Sequence, residues 1–271
     1  MMHHRSLLFV PGNRPDRFDK ACMAGADLVC IDLEDAVGAG DKDSSRTDVL
    51  SWLSQSDHKN VSLRINGIDT DAGQADIKAL QEADLSLPFV MAPKVDSKSE
   101  INDLDDALPS GVGSLFPIIE SAQGLENAYD IFNTSRVTMG LFGAVDYGAD
   151  LDCALSWETL LFARSRLANA AAAADTLLFD VPHIIARDLE DCEATTRQAK
   201  ALGIHARAAI HPAQIAAIHR ALSASTFEIE QAKAIVAAYE KANGNVVIVD
   251  GKFIEAPVVK KALRVLAQNE S

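Results

Sequence analysis

Eight short apolar runs, each separated from the next by a longer stretch with helical patterning, constrain this chain more than any other feature. The runs cover residues 6–10, 28–33, 61–65, 89–92, 114–119, 137–142, 176–179 and 208–210. They are near-continuously apolar rather than alternating, as strands buried on both faces must be, and parallel strands need crossover helices between them. Helical stretches such as 14–24, 101–108, 156–174 and 189–202 supply those crossovers, several of them opened by Ser, Asp or Pro and closed by Gly. Eight such units is the number that closes a barrel. The expected fold is therefore α/β, a TIM-type (β/α)8 barrel over residues 1–222. Two further helices, near 226–243 and 257–268, flank the short segment 246–250 and Gly251, and form a C-terminal helical lid extension over residues 223–271.

The length of 271 residues and 48% hydrophobic content suit one barrel with its own large core. A formal net charge of -14 argues against nucleic acid or an anionic membrane as partner, since phosphate binding needs a basic face. An anionic small molecule would instead need a local basic pocket. Cys22, Cys30, Cys153 and Cys192 are too scattered for a zinc or redox motif and read as buried thiols in a reducing compartment. The apolar run after Arg5 ends at Pro11-Gly12, too short for a secretion signal, and no run has the length of a membrane span. A cytoplasmic protein is expected.

In such barrels chemistry sits where the strands end. Here the runs lead into Asp32, Glu34 and Asp35, into Arg64 and Asn66, into Lys94, Glu120, Asp146 and Asp180, and into His211. Taken singly, an acid just past a strand also caps a helix, and Asp32 and Asp180 carry that reading as well. Independent caps would not gather carboxylates and cations on one barrel face. Glu120 and Asp146, on adjacent units with no Cys or His nearby, suit a hard cation that keeps several waters, and magnesium is the natural choice. His211 reads as a structural histidine rather than a ligand.

These residues resemble the citrate lyase β subunit and its relatives, the malyl-CoA and citramalyl-CoA lyases of the HpcH/HpaI aldolase superfamily. The resemblance rests on nine segments in order: 5–13 (RSLLFVPGN), 31–37 (IDLEDAV), 63–66 (LRIN), 93–95 (PKV), 119–122 (IESA), 143–146 (GAVD), 163–166 (ARSR), 209–215 (AIHPAQI) and 250–254 (DGKFI). It implies Mg2+ held by Glu120 and Asp146, and Arg64 gripping the carboxylate or carbonyl oxygens of the substrate. It further implies coenzyme A contacts from Phe9, Arg14 and Lys20, although a solvated first-helix face also accounts for the last two. Glu34, Asp35 and Glu255 complete the candidate catalytic set with Arg64. The family's lid motif normally places an aspartate after the isoleucine. This chain has Glu255 there, just before Pro257. The implied activity is cleavage of a 3-hydroxyacyl-CoA thioester to acetyl-CoA and an α-keto acid. Thioester hydrolysis, or service as a subunit inside a carrier-protein complex, are the alternatives. The resemblance also implies a homo-oligomer, a trimer or hexamer, in which the tail reaches a neighbour's site.

Overall fold

Eight parallel strands close into a barrel in sequence order: β1 (Ser6–Pro11), β2 (Leu28–Asp32), β3 (Val61–Arg64), β4 (Leu87–Ala92), β5 (Val112–Ile119), β6 (Met139–Phe142), β7 (Leu177–Asp180) and β8 (Ala206–Ala209). Closure is made by β1, which pairs with β2 through Leu7 and Leu28 and with β8 through Leu7 and Ala208. The computed structural model describes residues 4–269. The chain divides into two compact units, His4–Ala221 and a second beginning at Leu222. The expected TIM-type barrel is the architecture of the first.

Helices α1 (Phe18–Cys22), α2 (Lys42–Gln55), α3 (Asp71–Glu82), α4 (Lys98–Ala107), α5 (Ala122–Glu126), α6 (Ala128–Phe132), α7 (Ala144–Asp150), α8 (Trp157–Ala174), α9 (Leu189–Ala201) and α10 (Ala213–Leu222) connect the strands or follow the last of them. Side-chain caps from Thr70, Ser97, Ser121, Ser156 and Asp188 start five of them by accepting an otherwise orphaned N–H. Inside the barrel Leu7, Cys30, Phe89, Met91, Phe116, Ile118 and Phe179 share one core with the small Ala206 and Ala208. The rings of Phe89 and Phe116 lie 5.5 Å apart and those of Phe116 and Phe179 5.2 Å apart, so the interior is packed rather than hollow.

Several boundaries differ from the expected ones. The stretch 14–24 is not one helix but a 3-10 turn at Pro15–Arg17 followed by α1, with Gly25 turning the chain at φ +82°. β4 begins earlier, at Leu87, and tolerates Pro88: Leu87 donates to Gly111, so the proline nitrogen faces β3, whose pairing starts only at Val90. β8 ends at Ala209 instead of Ile210, because the Gln214 side chain takes the Ile210 N–H.

At the N-terminal rim, Ser6 Oγ lies 2.7 Å from His219 Nε2 on α10, and the Asp27 carboxylate accepts the Arg5 and Ser6 main-chain N–H groups. Ser6 is fully buried, so this cluster ties β1 to α10 rather than meeting a ligand.

The second unit consists of α11 (Thr226–Lys241), the antiparallel hairpin β9 (Val247–Val249) and β10 (Lys252–Ile254), and α12 (Ala256–Asn269). Ser225 and Glu228 form a complete capping box on α11, and α11 packs on α12. Among the described residues no helix is long and apolar enough to cross a membrane.

Candidate active site

The C-terminal ends of β2 and β3 carry Asp32 and Arg64, which stand opposite one another in the ladder. Arg64 Nε donates to Asp32 Oδ1 at 2.7 Å and Nη2 to Oδ2 at 2.6 Å, a side-on pair available only to a planar guanidinium. Nη1 lies 2.6 Å from Glu34 Oε2 and 3.8 Å from Asp35, and the guanidinium stands 5.3 Å over the Phe9 ring. The Glu34 contact is close but not aligned as a hydrogen bond, so this buried oxygen has no hydrogen-bond donor among the described residues. Burial alone would pull the Arg64 guanidinium down; Asp32, with Glu34 and Asp35, holds it above its ordinary range. Asp32 also accepts the N–H groups of Glu34 and Ala36, which fixes the loop carrying Glu34 and Asp35.

Glu120 follows β5 and is almost fully buried. Its Oε1 accepts the Lys94 main-chain N–H at 2.6 Å, and Lys94 adopts a left-handed φ of +53° to present it. Lys94 Nζ reaches Glu34 Oε1 at 3.1 Å. Gly143, after β6, leaves room for the other oxygen: a Cβ there would stand 2.4 Å from Glu120 Oε2 and 2.5 Å from Glu120 Cβ. Three residues on, Asp146 sits half-buried in the first turn of α7, where N–H groups favour a carboxylate. Burial, then Glu34 and Asp146, push the Glu120 carboxyl up to about 8 despite the Lys94 hydrogen bond. Burial also raises Glu34, against the opposing pull of Arg64.

A cavity of about 410 Å³ opens at this end, with Phe9, Asp32, Asp35, Arg64, Glu120 and Asp146 in its wall and Ile118, Leu141, Val181 and Ile210 as its apolar side. The structure thus brings together five of the expected residues: Phe9, Asp35, Arg64, Glu120 and Asp146. Glu34 is packed on Arg64 and Lys94 and does not line the cavity. Arg14 pairs with Asp16 at 2.8 Å, Lys20 is exposed on α1, and neither lines it. Glu255 belongs to the second unit, exposed just before α12. Asn66 holds Asp76 on α3, Asp180 is buried against Arg164, and His211 Nδ1 accepts the Ala213 N–H in a turn.

Asp32, Lys94 and Gly143 have parts here that the sequence pattern does not assign. Asp32 and Lys94 were visible as polar residues past strands; what no pattern shows is the ladder pairing that couples Asp32 to Arg64. The Gly-Ala-Val-Asp segment carried the signal for Gly143.

The donor chemistry fits a hard divalent cation. Among the described residues no group of three or more His, Cys, Asp or Glu side chains is placed to hold a metal, so the protein offers the two carboxylates of Glu120 and Asp146 and leaves other positions to water or substrate. A carboxyl raised by burial and then by its acidic neighbours is a site that a cation relieves.

Residues 5–212 match the model of the HpcH/HpaI aldolase/citrate lyase family. The chain belongs to that family. Among HpcH/HpaI relatives, the citrate lyase subunit beta of Leuconostoc mesenteroides subsp. cremoris is 33% identical over 97% of this chain and 92% of its own length. A (3S)-malyl-CoA thioesterase of Cereibacter sphaeroides is 32% identical over 98% of this chain and 95% of its own. Of the solved structures, the protein CitE from Mycobacterium tuberculosis in complex with magnesium, acetoacetate and coenzyme A superposes with a TM-score of 0.89 at 27% identity, covering all of this chain and 99% of that one.

Proposed function

We propose that this chain is a magnesium-dependent carbon-carbon lyase that cleaves a 3-hydroxyacyl-CoA thioester of the malyl, citramalyl or citryl type into acetyl-CoA and an α-keto acid. The observation that carries the reading is the meeting of Glu120, Asp146 and Arg64 around one barrel-mouth cavity. The CitE complex with magnesium, acetoacetate and coenzyme A supports it by analogy.

Glu120 Oε2 and Asp146 would hold Mg2+, which supplies Lewis-acid polarisation and a template for the substrate's carboxylate and hydroxyl oxygens. Arg64, with its side-on edge committed to Asp32, turns its remaining N–H groups to the same oxygens as a permanent charge. Asp35, in the cavity wall, takes the hydroxyl proton. The carbon-carbon bond breaks, its electron pair passes to the thioester as an enolate, and the carbonyl of the keto acid forms. An acid then returns a proton to the enolate carbon, and we assign that role to Glu255 of a neighbouring copy. Glu34 acts through Arg64 and Lys94, keeping both charged groups in place. Phe9, Arg14 and Lys20 hold the coenzyme A part, which answers the need for local positive charge in an acidic chain. Exposed apolar side chains on and just before α8, including Leu155, Leu161 and Phe162, support a homo-oligomer, for which the resemblance implies a trimer or hexamer.

The thioesterase relative keeps hydrolysis as a second reading, in which an activated water attacks the thioester carbonyl. Product analysis on free thioesters separates the two.

A further inference from the structure

The Glu120 carboxylate is aimed from two sides, by the space at Gly143 and by the Lys94 main chain, and only the second involves an unfavourable backbone. Lys94 is one of few non-glycine residues here with positive φ, and its chain is fixed just beyond, where Val95 donates to Ile118. With that onward path set, the left-handed turn is what leaves the Lys94 N–H facing Glu120 Oε1. An L residue held there against its preference marks a position that the surroundings impose.

We propose that Lys94 is a positioning residue of the metal site, and that its backbone conformation, not its ammonium group, sets Glu120 for Mg2+. The inference rests on the metal reading above. The N–H takes one lone pair of Oε1 and so favours one orientation of the carboxylate, the one that places Oε2 beside Gly143. The ammonium group has a separate partner in Glu34 and is half exposed.

The test compares variants that all lack the ammonium but differ in tolerance of positive φ. Lys94→Gly and Lys94→Asn accept the left-handed region, whereas a β-branched residue resists it. By titration calorimetry on the full chain with MgCl2, Lys94→Gly and Lys94→Asn should bind within about threefold of the unaltered protein, and Lys94→Val about tenfold or more weaker. Thermal unfolding without metal checks that each variant folds; should Lys94→Val fail, Lys94→Ala carries the same comparison with a smaller expected loss. Equal weakening in all variants would assign the effect to the ammonium and overturn the proposal, as would equal binding in all. If the unaltered protein binds no Mg2+ at millimolar concentration, the metal reading itself falls and takes this inference with it.

Discussion

Asp32 and Arg64, the last residues of two adjacent strands, are joined edge to edge by hydrogen bonds of 2.7 and 2.6 Å. The pair is buried, so neither charge is tolerable without the other. Its consequence is orientation: two hydrogen bonds hold the guanidinium edge-on to Asp32 in the cavity wall.

Arg64→Lys keeps the charge but has no planar fork, so kcat/KM should fall by about a hundredfold or more, the cost of losing a bidentate, charge-assisted contact. Arg64→Met should also destabilise the protein by about 3–5 kcal/mol, because Asp32 is then buried without a counter-charge and Glu34 keeps only Lys94. Steady-state kinetics and denaturant unfolding measure the two effects. Unchanged kinetics in Arg64→Lys would remove Arg64 from the substrate.

Gly143→Ala introduces a methyl group where Glu120 Oε2 and Cβ now stand, within 2.5 Å of both. Glu120 must move, and magnesium affinity should drop about tenfold or more while the barrel remains folded. Glu120→Gln and Asp146→Asn should each abolish magnesium retention and activity, and chelation by EDTA should reproduce their loss. Full activity of either without divalent metal would sink the metal assignment.

Glu120 sets the pH dependence. Its carboxyl is raised from 4.5 to about 8, so without metal it is largely protonated at pH 7. Because the folded value lies above the unfolded one, this group favours the metal-free fold at low pH, and that contribution is lost as pH rises from about 4.5 through 8. Magnesium needs the carboxylate. Binding at pH 7 should release close to one proton, and affinity should climb about tenfold per unit up to pH 8 and then level. Calorimetry in buffers of different ionisation heat counts the protons. Release of none would contradict the assignment of Glu120 as the raised group.

Where the resemblance implies an aspartate after the isoleucine, this chain has Glu255, longer by one methylene. If it returns the proton to the enolate, Glu255→Gln should lower kcat by about a hundredfold or more. Magnesium affinity and thermal stability should stay unchanged, since the side chain is exposed and lies in the second unit. Unaltered turnover would leave the acid to be sought elsewhere.

The barrel is legible because its strands are largely buried on both faces and their composition says so, as in Leu28 through Ile31, where every residue is buried. Strand ends were harder to read, since a terminal N–H can be taken by a side chain such as Gln214, and that depends on a partner four residues away. Arg64, Glu120 and Asp146 stood out as polar residues past apolar runs. The division of labour among neighbouring acids did not. Glu34 and Asp35 are adjacent in sequence, yet one is buried on Arg64 and the other faces the cavity, a difference set by the loop that Asp32 and Lys42 pin down. Phe9 lies on a strand that ends at the cavity, whereas Arg14 and Lys20 follow that strand and lie outside the cavity wall, so a role for them shared with Phe9 does not follow from the barrel pattern.

The most direct measurement is product analysis of the purified chain, with magnesium, on malyl-, citramalyl- and citryl-CoA separately. The account predicts acetyl-CoA and the matching α-keto acid in equal amounts from at least one of the three, and none of either after EDTA. Free coenzyme A and the intact hydroxy acid, with no acetyl-CoA, would contradict it and make the chain a thioesterase.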